Sequence, residues 1–210
     1  MIIFAVIAAI MVLIGLYHIR MLPSNQIPST TKKTTSEVGR ELVAVIANFF
    51  TKKHIFYYIC FIILYRLAEG FIMKIAPLFL RASREVGGLG LSLKEIGTLN
   101  GVFGSAAFVL GSLLAGIYVS KFGLKRTLFT LCCIFNLPFV AYTFLAVAQP
   151  TNVYLIGTCI TMEYFGYGFG FVGLTLFMMQ QIAPGKHQMS HYAFASGIMN
   201  LGVMFPGMVS

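Results

Sequence analysis

The chain has 210 residues, of which 58% are hydrophobic and only 10% charged, with a mean hydropathy of +0.86. A soluble domain carries about 25% charged residues because it must coat its exterior, so a soluble enzyme, a nucleic-acid reader and a disordered tail are excluded. The net charge of +9 then points to cationic loops beside anionic lipid rather than to nucleic acid.

Six stretches approach the roughly 20 apolar residues that a membrane-spanning helix needs: 1–19, 55–80, 96–119, 127–148, 153–183 and 192–210. The first has no basic residue before it and no small-residue cleavage site after it, which makes it a span rather than a signal peptide. The last runs uncharged to the end of the chain, as a cut-off segment would. Lys and Arg set the orientation. Ten lie in the alternate segments 20–54, 120–126 and 184–191, against Arg81, Arg84 and Lys94 on the other side, which places the former in the cytoplasm. Met1 then falls outside, as expected of a chain whose upstream half is missing.

Residues 20–54 read as a cytoplasmic joint between two bundles. A polar linker from Pro23 to Thr35 cannot bury enough apolar surface to fold. An amphipathic helix follows, with Ser36 as cap and Leu42, Val43, Ile46, Phe49 and Phe50 on a face laid along the membrane surface.

Charges inside spans cost about 2.5–3.5 kcal/mol each on insertion scales, so each needs a reason. The second span holds Arg66, Glu69 and Lys74. Arg66 and Glu69, at i and i+3, can neutralise each other on one helix face. They read either as a cluster facing a water-filled path for substrate or protons, or as a pair locking two helices together. Lys74 can also snorkel outward. Glu163, the one charge of the fifth span, needs a partner from another helix, Arg66 or Lys74, or a proton, which suits a proton carrier; the alternative is a carboxylate simply hydrated near the outer interface.

Other features are packing signals. Gly168-Phe169-Gly170-Phe171-Val172-Gly173 matches a dinucleotide fingerprint, but no strand precedes it. Gly166 with Gly170, Gly97 with Gly101, and Gly111 with Ala115 are small-residue pairs that let helices approach closely. Pro77 and Pro206 are set to break or kink their helices. Cys60, Cys132, Cys133 and Cys159 read as apolar packing residues, and His18, His54, His187 and His191 as hydrated interface residues. Neither a metal nor a cofactor is expected. A membrane enzyme lacks its usual motifs here, since no HExxH or G-x-S-x-G occurs.

The turn from Gly116 through Ser120, Lys121, Gly123, Lys125 and Arg126 resembles the G-x-x-x-D-R/K-x-G-x-R/K-R/K loop of the major facilitator superfamily, with Ser120 at the acidic position. Tyr65-Arg66-Leu67-Ala68-Glu69-Gly70, Leu89 to Gly97, His191 to Ser196, and Glu163 before its glycine-rich stretch are similar to segments of AmpG-type muropeptide permeases. The resemblance implies an all-α integral membrane bundle of about six transmembrane helices, the C-terminal half of a twelve-helix carrier truncated at both ends. Span 1–19 would correspond to helix six, 20–54 to the central loop and 55–210 to helices seven to eleven. It further implies a bacterial inner-membrane permease that brings a sugar-peptide into the cytoplasm with protons. Its partners would be the small-molecule substrate, protons, the lipid bilayer and the missing N-terminal half, with no nucleic acid. Arg66, Glu69, Lys74 and Glu163 become candidates for substrate binding and proton coupling, and the 116–126 turn a conformational-switch loop. An acetyl-CoA-type carrier of the same superfamily and a non-transporting membrane scaffold or receptor stand as alternatives.

Overall fold

The structure is a computed structural model that describes residues 2–21 and 34–209. Most of the Pro23–Thr35 linker therefore lies outside the described residues. The only regular structure among the described residues is helix, with turns between and no strand. Residues 1–41 and 42–210 form two separate compact units.

In the first unit, α1 (Ile2–Met21) is a 20-residue apolar helix, and α2 (Thr35–Phe50) begins there and runs into the second unit. Thr34, not Ser36, caps α2: its backbone N–H donates to the Glu37 carboxylate at 2.9 Å, half of a capping box. Ser36 falls inside the first turn. The apolar residues of α2 divide differently from the expectation. Val45 and Phe49, one turn apart, are buried, whereas Leu42, Val43, Ile46 and Phe50 are exposed.

The second unit continues with α3 (Ile55–Arg81), α4 (Leu93–Thr98), α5 (Ser105–Phe122), α6 (Leu124–Ala148), α7 (Val153–Phe177), α8 (Gln188–Met204) and α9 (Pro206–Val209). A π-helical turn, Leu99–Gly104, joins α4 to α5 into one rod, and a second, Met178–Ile182, extends α7. Among the described residues, four rods are long and apolar enough to cross a bilayer: Phe4–Met21, Ile55–Arg81, Leu93–Phe122 and Leu124–Ala148. Helix α7, which is rich in glycine and tyrosine and carries Glu163, is not among them, and the last expected span is divided, with α8 ending just before Pro206. Pro77, in contrast, is carried within an unbroken α3.

The turns cluster at the two ends of the bundle. At one end Arg84 donates to the carbonyls of Gln149 and Pro150 at 3.0 and 2.7 Å, and the Gln149 amide donates to the Gly87 carbonyl at 2.7 Å. There Ser92 and Glu95 close a capping box on α4. At the other end the Lys52 ammonium donates to the Ile182 and Pro184 carbonyls at 2.5 and 2.8 Å. It satisfies carbonyls left over where the α7 rod ends. The rods α3, α4–α5, α6 and α7 therefore alternate in direction.

Helix α7 is the centre of this packing, and its glycines serve both flanks. A Cβ on Gly168 would lie 2.2 Å from the Phe108 carbonyl oxygen of α5, and one on Gly111 would lie 2.3 Å from the Phe165 oxygen of α7. On the other flank, Gly166 faces the Ile134 carbonyl, Gly170 the Phe135 side chain and Gly173 the Leu131 side chain of α6. The Gly166/Gly170 and Gly111/Ala115 pairs thus mark real close approaches. Gly97 and Gly101 do not, for each faces open space. Helix α3 meets α8 at Gly202, which faces the Ile63 backbone. Among the histidines, His191 departs from expectation. It is fully buried, its ring 5.7 Å from Phe49 and 6.0 Å from His187.

Candidate functional site

Tyr65, Arg66 and Glu69 share the face of α3 turned toward α6 and α7. Tyr65 is buried, its ring 4.7 Å from Phe135, and its hydroxyl donates to the Gly170 carbonyl at 2.8 Å. That bond fixes the height of α3 against α7 and so places the next two side chains. Arg66 grips Glu69 with two hydrogen bonds, Nε to Oε2 at 2.7 Å and Nη2 to Oε1 at 2.6 Å. Their side chains are 6% and 11% exposed, so both charges are desolvated and the bidentate geometry is what makes their burial tolerable. The guanidinium also sits 5.4 Å from the Phe171 ring centroid, within cation–π range.

Glu163, on α7, accepts a 2.7 Å hydrogen bond from the Tyr142 hydroxyl of α6. Glu69 and Glu163 line the same cavity, about 110 Å³ in volume, together with Phe135, Pro138, Tyr164 and Tyr167. A space of this size can admit a few water molecules but no glycopeptide. Two carboxyl groups facing one small space, one bound to a guanidinium and the other to a phenol, can exchange protons with water that enters it.

The fourth expected residue lies elsewhere. Lys74 is exposed, and its side chain runs beside α9, where a Cβ on Gly207 would fall 2.9 Å from Lys74 Cε. It does not line the cavity. The expected partnership of Glu163 with Arg66 or Lys74 is also not what the structure shows, because Tyr142 fills that place and Arg66 is held by Glu69. Tyr142 and Tyr167 escaped the sequence reading. A phenol in an apolar helix looks like any other aromatic packing residue until a facing carboxyl is known.

The 116–126 turn is a one-residue reversal between α5 and α6. Gly123 takes φ 78°, in the region that favours glycine, and Thr127 Oγ1 donates to its carbonyl at 3.0 Å. Ser120, Lys121, Lys125 and Arg126 are exposed around it, with the Lys121 ammonium 5.6 Å from the Phe122 ring, and Gly116 faces open space. A larger open groove of about 770 Å³, between α4, the π turn after it and the start of α7, contains none of the expected site residues.

The fold and this buried charge arrangement define a multi-pass, all-helical membrane protein with ionisable groups facing its interior. The sequence profile of the Major Facilitator Superfamily matches residues 1–210, and the chain belongs to that superfamily. It is 22% identical over 183 residues to the anhydromuropeptide permease of Escherichia coli K12, and equally to that of Escherichia coli O157:H7. Each alignment covers 87% of this chain and 36% of the relative. The chain therefore spans little more than a third of the length of these curated relatives.

Proposed function

We propose that the chain forms the C-terminal half of a proton-coupled secondary carrier that takes up an anhydro-muropeptide, or a similar polar solute, across a bacterial inner membrane into the cytoplasm. The observation that carries this reading is the convergence of Glu69 and Glu163, from two different helices, on one small cavity inside the bundle. Buried ionisable groups inside membrane bundles are costly and mark ion or proton pathways.

The two carboxyl groups divide the work. Glu69 is already neutralised by Arg66, and the pair acts as a unit. Glu163 has a phenol for its partner, so gaining or losing a proton there changes the charge of the cavity outright. Because the cavity is too small for a glycopeptide, it serves as the proton site. The solute is bound on the open side, between this half and the other half of the carrier, in keeping with the midplane sites at repeat interfaces in such carriers. Protonation discharges the interior and lets the halves rock. The exposed Ser120–Arg126 turn biases that equilibrium without touching solute.

Uptake of labelled anhydro-muropeptide by cells lacking their own permease tests this, using the full-length protein. Expression should restore accumulation that collapses with a protonophore. Glu163→Gln should abolish concentrative uptake, and Glu69→Gln should impair it. Unchanged pH-driven uptake in both variants would sink the proposal.

A further inference from the structure

Three elements present titratable groups to Glu163. Glu69 comes from α3 with Arg66 behind it, Tyr142 comes from α6, and Tyr164 and Tyr167 stand on α7 itself. Arg66 is occupied on two of its nitrogens by Glu69. The hydrogen bond that Glu163 accepts comes from the Tyr142 hydroxyl, 2.7 Å away across the α6–α7 interface. That interface is a rigid one, closed by Gly166 and Gly170 against Ile134 and Phe135, so the distance between the two side chains is set by backbone contact and not by loose packing.

We propose that Tyr142 is the positioning residue for the proton carried by Glu163, its hydroxyl donating to the ionised carboxylate and turning to accept from the protonated acid. This rests on the reading of Glu163 as the proton carrier. A phenol suits the task because it is both donor and acceptor. A buried carboxyl that lost its partner in either state would leave an unsatisfied polar group, which is costly. A lysine or arginine in its place would hold the carboxylate but could not accept from the acid. The step is simple in its balance. A hydronium ion entering the cavity breaks one O–H bond to leave neutral water and forms an O–H bond on a Glu163 oxygen, the Tyr142 O–H rotates away, and the new acid O–H points to the Tyr142 oxygen. Tyr142 keeps its own proton throughout, and the reverse rotation accompanies release.

Tyr142→Phe keeps the ring and removes the hydroxyl. Infrared pH titration of the purified full-length protein reads the result directly, the carboxyl C=O band of Glu163 being the one that disappears in Glu163→Gln. A hydrogen bond to a charged group outweighs one to a neutral group by about tenfold in equilibrium terms. The band in Tyr142→Phe should therefore shift to the frequency of a free carboxyl, with its titration midpoint about one pH unit higher. Concentrative uptake of labelled anhydro-muropeptide should fall about tenfold, while solute exchange without net proton movement keeps its KM. A band of unchanged frequency and midpoint overturns the proposal. So does a wild-type band already at the free-carboxyl position, which needs no variant at Tyr142. If Glu163→Gln abolishes uptake but Tyr142→Phe changes nothing, the positioning role alone fails. If Glu163→Gln leaves uptake intact, the proton-carrier reading fails and takes this role with it.

Discussion

Replacing Gly168 with alanine separates the contribution of close helix approach from everything else in the bundle. The added Cβ would lie 2.2 Å from the Phe108 carbonyl oxygen, 2.9 Å from its carbon and 3.0 Å from its Cα. All three are backbone atoms of α5, so no rotamer change relieves the overlap. Ordinary contact begins near 3.4 Å, and α5 and α7 must move apart by about 1 Å. Overpacking of this kind costs about 1–3 kcal/mol. The shift also stretches the 3.2 Å hydrogen bond from Ser112 Oγ to the Gly168 carbonyl, worth about 1 kcal/mol. Alanine returns about 1 kcal/mol through helix propensity, leaving a net loss of about 2 kcal/mol. For a chain of this size that is a fall in Tm of roughly 4–8 °C. Gly116→Ala on α5 is the control, because nothing lies within 4 Å of its added methyl and only the propensity gain remains. Thermal unfolding in detergent, followed by a maleimide dye that reacts as the half-buried Cys60, Cys132 and Cys159 open, reads both. Equal Tm values for the two variants would refute the reasoning that α7 is fixed by glycine contacts.

Three further perturbations address the charged and polar groups. Removing one member of the buried pair, Arg66→Leu or Glu69→Leu, should cost about 3–5 kcal/mol each, and the double variant clearly less than the sum; additive losses in thermal unfolding would show that the two are not a unit. Lys52→Met should free the Ile182 and Pro184 carbonyls, cost about 1–3 kcal/mol, and speed hydrogen exchange around residues 183–187; unchanged exchange there would contradict the capping role. His191, at the mouth of its span, is held below the usual histidine range first by burial and then by the Lys52 charge. Its depressed folded value means that the folded state favours the neutral ring, so its contribution is full above about pH 6.5 and is lost as pH falls below that. Tm should therefore drop between pH 7 and 5, and less so in His191→Phe, which has no group to titrate there; identical pH slopes would refute this.

Much of the fold was legible because a bilayer demands long apolar runs, and those runs are visible without any knowledge of contacts. The Arg66–Glu69 pair was legible for a similar reason: i, i+3 spacing on a helix leaves little choice of neighbour. What the sequence could not show are contacts made across helices. Tyr142 lies 21 residues before Glu163, and nothing local to either marks the other. His191 looked like an interface residue because its sequence neighbours are polar, whereas its burial is supplied by Phe49 from α2. Gly97 and Gly101 have the spacing of a packing pair but no helix against them. Spacing shows that a glycine face exists; it does not show that another helix occupies it. Lys74 illustrates the same limit, since its distance from Glu69 along the helix fixes its azimuth but not the position of α9 beside it.

The placement of Glu163 on α7 constrains how any conformational change could proceed. Helix α7 is in backbone contact with α5 through Gly111 and Gly168 and with α6 through Gly166, and it is tied to α3 by the Tyr65–Gly170 bond. Packed interfaces of this kind have few alternative arrangements, because sliding by a fraction of a turn would drive carbonyl oxygens into side chains. A change of charge at Glu163 therefore cannot be absorbed by α7 shifting alone among its neighbours. On the proposed reading, the cost of an uncompensated carboxylate is passed to the bundle as a whole, and the motion it drives is a rigid-body tilt of α3, α5, α6 and α7 together. A glycine-packed helix is a poor place for a residue that must move and a good one for a residue that must stay fixed while its proton comes and goes.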